Sequence, residues 1–96
     1  MRPSEALAKH REEVLAIIAR YPVSNPRIFG SVARGEDVEG SDIDILVDRG
    51  RMTTYIDLAR LEMEIETLLN VRVGVHTPGE FRPAAAARIA ADRREL

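Results

Sequence analysis

Residues 27–47, RIFGSVARGEDVEGSDIDILV, constrain the fold of this chain more than any other stretch. Arg27-Ile28-Phe29 is a short, apolar-leaning strand that Gly30-Ser31 breaks. Ser31 to Arg34 fits one or two helical turns, closed by Gly35, the residue type that most easily takes the left-handed backbone at a helix C-terminus. Glu36 to Gly40 is a polar, acidic loop. Asp42 to Val47 alternates as a second strand, with Ile43, Ile45 and Val47 on one face and Asp42, Asp44 and Leu46 on the other. Two strands joined by so short a connection are expected to be neighbours in one sheet. The glycine turn and the aspartates then meet in one place.

The flanking sequence supplies layers for that sheet. Pro3 and Ser4 open a helix, with Ser4 as N-cap and Glu5 in the first turn. Leu7, Val14, Ile17, Ile18 and Tyr21 form its apolar stripe, His10 sits at the stripe's edge as a packed or half-exposed side chain, and Pro22 ends the helix. Ser24, Asn25 and Pro26 read as a turn. After Gly50, Thr53 or Thr54 caps a long helix running to about Leu69, whose main stripe is Tyr55, Leu58, Leu61, Ile65, Leu68 and Leu69. A second stripe, Met52, Ile56, Ala59 and Met63, is read as a face buried on the other side of that helix; a face left open for another protein is the alternative. Asn70 is its C-cap, and Val71 to His76 alternates as a third strand. Thr77-Pro78-Gly79 is a turn, and Phe81 to about Arg93 is a last, alanine-rich helix with Pro83 in its first turn. The order α-β-α-β-α-β-α predicts an α/β (α+β) fold: one domain over residues 1–96, a three-stranded mixed sheet with helices packed on it.

Composition narrows the function classes. Cysteine is absent, which removes disulfides, thiolate metal sites and cysteine nucleophiles and favours a reducing, cytoplasmic setting. No apolar run approaches the roughly 18 residues of a membrane span, and no signal peptide opens the chain. The net charge of −2, with Lys9 the sole lysine, argues against general duplex-DNA binding, which needs a basic face. With only four aromatic residues the core must be aliphatic and thin, and a domain of this size often gains stability from a partner.

The central stretch carries chemistry. A strand ending in Gly30-Ser31 at a helix start offers free backbone N–H groups and a hydroxyl to an anion, and the glycine lets a phosphate approach the backbone. Asp42 and Asp44, two apart in a strand, project to one face and repel each other unless a counter-charge sits between them. Mg²⁺ suits that role, taking one or two carboxylates together with waters and substrate phosphate oxygens. Joined, the half-sites would hold a nucleoside triphosphate with its metal, and the expected chemistry is in-line displacement at phosphorus. Arg34, one turn past Ser31, can neutralise phosphate charge or anchor the turn to an acid.

The run FGSVARGEDVEGSDIDILV resembles the nucleotidyltransferase signature G-S-x-x-R-G followed by S-D-x-D. The chain is most similar to the minimal nucleotidyltransferases, the antitoxin-type partners of HEPN-domain proteins; its length, element order and VRVGVHTPGEFRP segment also fit. The resemblance implies a polymerase-beta-like core, nucleotide binding by Gly30, Ser31 and Arg34, and Mg²⁺ binding and catalysis at Asp42 and Asp44. It further implies transfer of a nucleoside monophosphate, AMP from ATP, to a protein hydroxyl on a HEPN-domain toxin, in a complex with that partner. One position departs from the family pattern, which carries a third carboxylate in a V-D-x-V-T-P-like segment. Here the run is Val73-Gly74-Val75-His76-Thr77-Pro78, so Gly74 stands at the acid's place. The alternative is therefore a weak or inactive nucleotide-binding antitoxin, or a regulatory subunit, that neutralises its partner by contact. His76 shares strand parity with Gly74 and reads as a solvated or structural histidine, with a base replacing the missing acid as the other possibility.

Overall fold

The computed structural model describes residues 1–96. The elements are α1 (Pro3–Lys9), α2 (Arg11–Ile18), β1 (Val23–Phe29), α3 (Gly30–Arg34), β2 (Ile43–Arg49), α4 (Tyr55–Leu69), β3 (Val73–His76), a 3₁₀ turn (Pro78–Glu80), α5 (Pro83–Asp92) and β4 (Arg94–Glu95). The sheet is four-stranded, in the order β3-β2-β1-β4. β2 runs antiparallel to β1 and parallel to β3, and β4 adds antiparallel to β1. The α+β class and the mixed sheet match the sequence reading; the fourth strand was not anticipated.

One face of the sheet carries the core. Ile43, Ile45 and Val47 are wholly buried and pack with Leu61, Ile65 and Leu69 of α4, Val14 and Ile18 of α2, and Val73 and Val75 of β3. Each such aliphatic side chain contributes about 1.5–3 kcal/mol when fully withdrawn from water. Alternation in β2 therefore fixes its register, and with it the face on which Asp44 emerges, because a one-residue slip would turn the isoleucines out.

Several local expectations are corrected. The first helix is two, divided at His10, although the bonds from His10 N to Ala6 O and from Val14 N to His10 O keep the helical direction across the break. Ser4 lies inside α1, and Arg2 is the N-cap. The Ser4 N–H donates instead to Asp37 Oδ2 at 2.8 Å, tying α1 to the acidic loop. Ser24, Asn25 and Pro26 belong to β1, where the register shifts between Ser24 and Arg27 and Asn25 has φ of 51°. The turn-forming residues thus make a bulge rather than end the strand. Met52 lies before α4 and is 82% exposed, and Ile56 and Met63 on α4 are each 65% exposed, so the helix is buried on one side only. Thr54 caps it, accepting from Asp57 N, and Asn70 closes it with φ of 54°.

Candidate active site

The register sets Phe29, Asp44 and Gly74 side by side across β1, β2 and β3, with Arg27, Leu46 and His76 in the next row on the same face. The turn after Phe29 then delivers Gly30 directly to Asp44. A Cβ on Gly30 would lie 2.7 Å from Asp44 Oδ2, and Gly30 holds φ of +75°. Both facts require glycine: the backbone is left-handed, and the space is already filled by the carboxylate. The Gly30-Ser31 turn predicted from sequence is thus in contact with Asp44.

Asp42 precedes β2 and is exposed; its Oδ1 lies 3.2 Å from Arg72 Nε. Arg72 is itself 80% exposed, so the pair is a surface ion pair that costs little to break. Ser31 and Gly30 open α3, where the first N–H groups of a helix have no partner within it. Arg34 does not point free. Its Nε and Nη1 donate to Glu36 Oε1 and Asp92 Oδ2, both at 2.6 Å, fastening α3 to α5.

His76 is the residue whose setting the sequence least revealed. Its Nδ1 lies 3.1 Å from Glu80 Oε1, and since a carboxylate only accepts, Nδ1 carries the proton. Glu80 is fixed in turn by the Thr77 N–H, which donates to the same oxygen at 2.8 Å. Phe29 and Phe81 flank the imidazole, with ring centroids 5.5 and 5.6 Å away. On the other side, Nε2 lies 3.6 Å from Asp44 Oδ1. Asp44 is the main cause raising the pKa of His76; partial burial opposes it, and Glu80 adds to the rise. His76 is therefore held in place rather than solvated. Glu80 was findable: Thr77-Pro78-Gly79-Glu80 has the T-x-x-E spacing of a capping box, which the 3₁₀ turn forms.

The donors at this face suit a divalent cation. Asp42 and Asp44 offer hard carboxylate oxygens, as Mg²⁺ prefers. No group of three or more His, Cys, Asp or Glu side chains is placed to hold a metal alone. A cation here would complete its shell with phosphate oxygens and water, as in sites where the metal arrives with the nucleotide. The largest concavity, about 690 Å³, lies elsewhere, between the C-terminal end of β2 and α4. Its lining includes Asp48, Tyr55, Leu58 and Glu62 but none of Gly30, Ser31, Asp42 or Asp44. The chemistry-bearing face is open, not a closed pocket.

A family model described as a nucleotidyltransferase domain matches residues 7–96. The chain belongs to the nucleotidyltransferase domain family. A Methanocaldococcus jannaschii relative bearing the name of a protein adenylyltransferase is 39% identical over 79 residues, 82% of this chain and 85% of its own. The protein adenylyltransferase MntA of Thermococcus cleftensis is 39% identical over 83 residues, 86% of this chain and 81% of its own. Among solved structures, one named as a minimal nucleotidyltransferase superposes with a TM-score of 0.85 at 39% identity, covering 97% of this chain and 95% of that one. A toxin-antitoxin crystallised with AMP-PNP shares the fold, with a TM-score of 0.75 at 16% identity over 88% of this chain and 69% of that one. This nucleotidyltransferase is thus an enzyme by class, and its sheet carries one short strand beyond the three expected.

Proposed function

We propose that this nucleotidyltransferase transfers AMP from ATP, with Mg²⁺, to a protein hydroxyl, and that the acceptor belongs to a HEPN-domain toxin that it silences in the cytoplasm. The whole of residues 1–96 acts as one domain in this reading. The observation that carries it is the meeting of Gly30 with Asp44, where a Cβ would stand 2.7 Å from the carboxylate oxygen. A phosphate lying on the Gly30-Ser31 backbone would touch the carboxylate face without any rearrangement of the sheet. Relatives named protein adenylyltransferase, and the fold shared with a toxin-antitoxin that takes AMP-PNP, support the choice of nucleotide and of acceptor class.

The residues divide the work. Gly30 and Ser31 receive the triphosphate through backbone N–H groups and the Ser31 hydroxyl. Asp42 and Asp44 hold the cation, which when bound neutralises phosphate charge and polarises the phosphorus under attack. Asp42 leaves its exposed partner Arg72 to do so. Buried β2 keeps Asp44 rigid, since Ile43 and Ile45 on either side are fully enclosed. Rigid placement supplies most of the acceleration in phosphoryl-type transfer. Labelled ATP, Mg²⁺ and the partner toxin test the reading: label reaches the toxin with the unaltered protein and not with Asp44→Asn. Absence of label, or full neutralisation of the toxin by Asp42→Ala, sinks it.

A second reading has its own observation. Met52 just before α4 and Ile56 and Met63 along it are exposed, and Gly74 supplies no third carboxylate, as in an antitoxin or regulatory subunit acting by contact. Ile56→Asp with Met63→Asp is then expected to break the complex with the melting temperature unchanged. A complex that survives both changes removes this surface.

A further inference from the structure

The row of residues beside Asp44 runs His76, Leu46, Arg27 and Glu95 across β3, β2, β1 and β4. α5 borders that row but packs loosely, since none of its residues is buried. A cavity of about 240 Å³ remains between them, lined by Leu46 from the sheet and by Phe81, Ala86, Ile89 and Ala90. It stays open because Ala86 and Ala90 present only methyl groups to it. A second cavity of about 240 Å³ shares Arg93 with the first and is otherwise lined by Asn25, Arg27, Arg94 and Glu95. Arg27 is its inner wall: the side chain is 9% exposed, Nη2 donates to Asp48 Oδ1 at 2.8 Å, and the buried Nε has no acceptor. Arg93 and Arg94 are exposed, and neither is in an ion pair. At the opposite end the Phe81 ring lies 5.6 Å from the His76 imidazole, whose Nε2 is 3.6 Å from Asp44 Oδ1. One groove therefore starts beside the Asp44 carboxylate, passes an apolar slot and ends at arginines.

We propose that this groove seats the acceptor protein, taking a segment with an apolar side chain in the slot and an acidic side chain at Arg93, Arg94 and Arg27; the assignment rests on the nucleotidyl-transfer reading above and names its acceptor chemistry. Strand spacing sets the reach. Leu46 is two residues along β2 from Asp44, about 7 Å, and Arg27 is one strand over, about 5 Å more. An extended chain covers that path in about four residues, so the acid stands within about four residues of the acceptor hydroxyl. A guanidinium takes a carboxylate through two parallel N–H donors, and the orphaned Arg27 Nε adds a third donor at the inner wall. Asp48 already matches Arg27, and Glu95 is the one other acid, so Arg93 and Arg94 leave this end positive. The apolar slot favours a polypeptide over a phosphodiester chain, whose sugars and phosphates have nothing to bury there.

Synthetic tyrosine peptides test it. Each carries a leucine two residues from the tyrosine and, just beyond, a pair of aspartates or a pair of lysines, and each is made in both chain directions. In calorimetric titrations the aspartate peptide of one direction is expected to bind at least about tenfold more tightly than its lysine counterpart, and the gap is expected to close as salt rises. Arg93→Glu combined with Arg94→Glu is expected to reverse the preference, with ATP affinity and melting temperature unchanged. Ala86→Phe, which fills the slot, is expected to weaken both peptides and leave ATP affinity unchanged. No binding by any peptide overturns the proposal, as does binding without preference or a preference that the double variant keeps. A loss of ATP affinity in either variant gives the groove to the nucleotide, and arginine-dependent binding of single-stranded RNA with no aspartate preference gives it to a nucleic acid; both overturn it. Label that reaches the partner toxin at the unaltered rate with the double variant defeats this proposal alone. No transfer by the unaltered protein defeats the nucleotidyl-transfer reading, and the acceptor assignment with it.

Discussion

Gly30 and Asp44 compete for one volume: a Cβ at Gly30 would stand 2.7 Å from Asp44 Oδ2, on a backbone with φ of +75°. Gly30→Ala therefore acts twice. Left-handed backbone costs an L-residue about 1–2 kcal/mol, which in a domain of this size lowers the melting temperature by several degrees. Asp44 can rotate away from the new methyl, and in doing so it leaves the phosphate turn. The expected outcome is a folded protein, modestly less stable, whose affinity for Mg-ATP falls about tenfold or more. Calorimetric titration beside a thermal melt checks it. Unchanged affinity would show that Gly30 matters for the turn alone.

Asp37 anchors α1 from the loop between the two halves of the site. It is buried, and its Oδ2 accepts from Ser4 N at 2.8 Å. Burial alone would push its pKa up, but hydrogen bonds from Ser4 and from its own backbone outweigh burial and hold it below the usual carboxylate range. A carboxylate lowered in this way contributes stability that is fully present above its unfolded pKa. That stability is lost as pH falls through the folded value, below about pH 4. Asp37→Asn should therefore melt lower than the unaltered protein at neutral pH, and the two curves should converge in acid. Parallel curves down to the acid transition would exclude Asp37 as the source.

Arg34 separates two roles that the spacing left open. Its Nε and Nη1 are engaged at 2.6 Å, by Glu36 and by Asp92 of α5. The pairs are partly exposed and their contribution is small, but they are the clamp between α3 and the C-terminal helix. Arg34→Gln is expected to lower the melting temperature slightly and to leave ATP affinity within about twofold. A tenfold loss of affinity with no change in melting would assign the guanidinium to phosphate instead.

What the sequence disclosed follows from which interactions are local. The face of Asp44 was legible because strand parity is a property of the chain itself, and Ile43, Ile45 and Val47 declare the opposite face by being apolar; Asp42, expected in the same strand, precedes it. Asn70 and Gly35 were legible because left-handed helix ends select their residue types. β4 was not, since Arg94 and Glu95 have no apolar alternation and are a strand only because Arg27 and Ile28 lie beside them. Asn25 and Pro26 misled for a related reason: turn residues also build bulges, and only the partner strand decides which. The second stripe of α4 could not be assigned from periodicity, which records that a face is apolar and not whether anything covers it. His76 was visible as a parity match to Gly74, but Phe29 at the end of β1 and Glu80 and Phe81 at the end of the 3₁₀ turn converge on it.

Gly74 and His76 form a pair whose members should not be changed independently. A side chain at Gly74 would begin 2.7 Å from His76 Nε2. Gly74→Asp alone must displace a ring held by Glu80 and two phenylalanines, and an overpacked site costs about 1–3 kcal/mol. His76→Val alone removes the ring and leaves a gap over Gly74, again destabilising. In the double variant the new carboxylate occupies the vacated space, so the two losses should not add. The expected coupling is about 1 kcal/mol or more in the stabilising direction, within the range found for residues in contact. Urea melts of the four proteins measure it. Additive losses would mean that the imidazole does not occupy the space above Gly74 in solution.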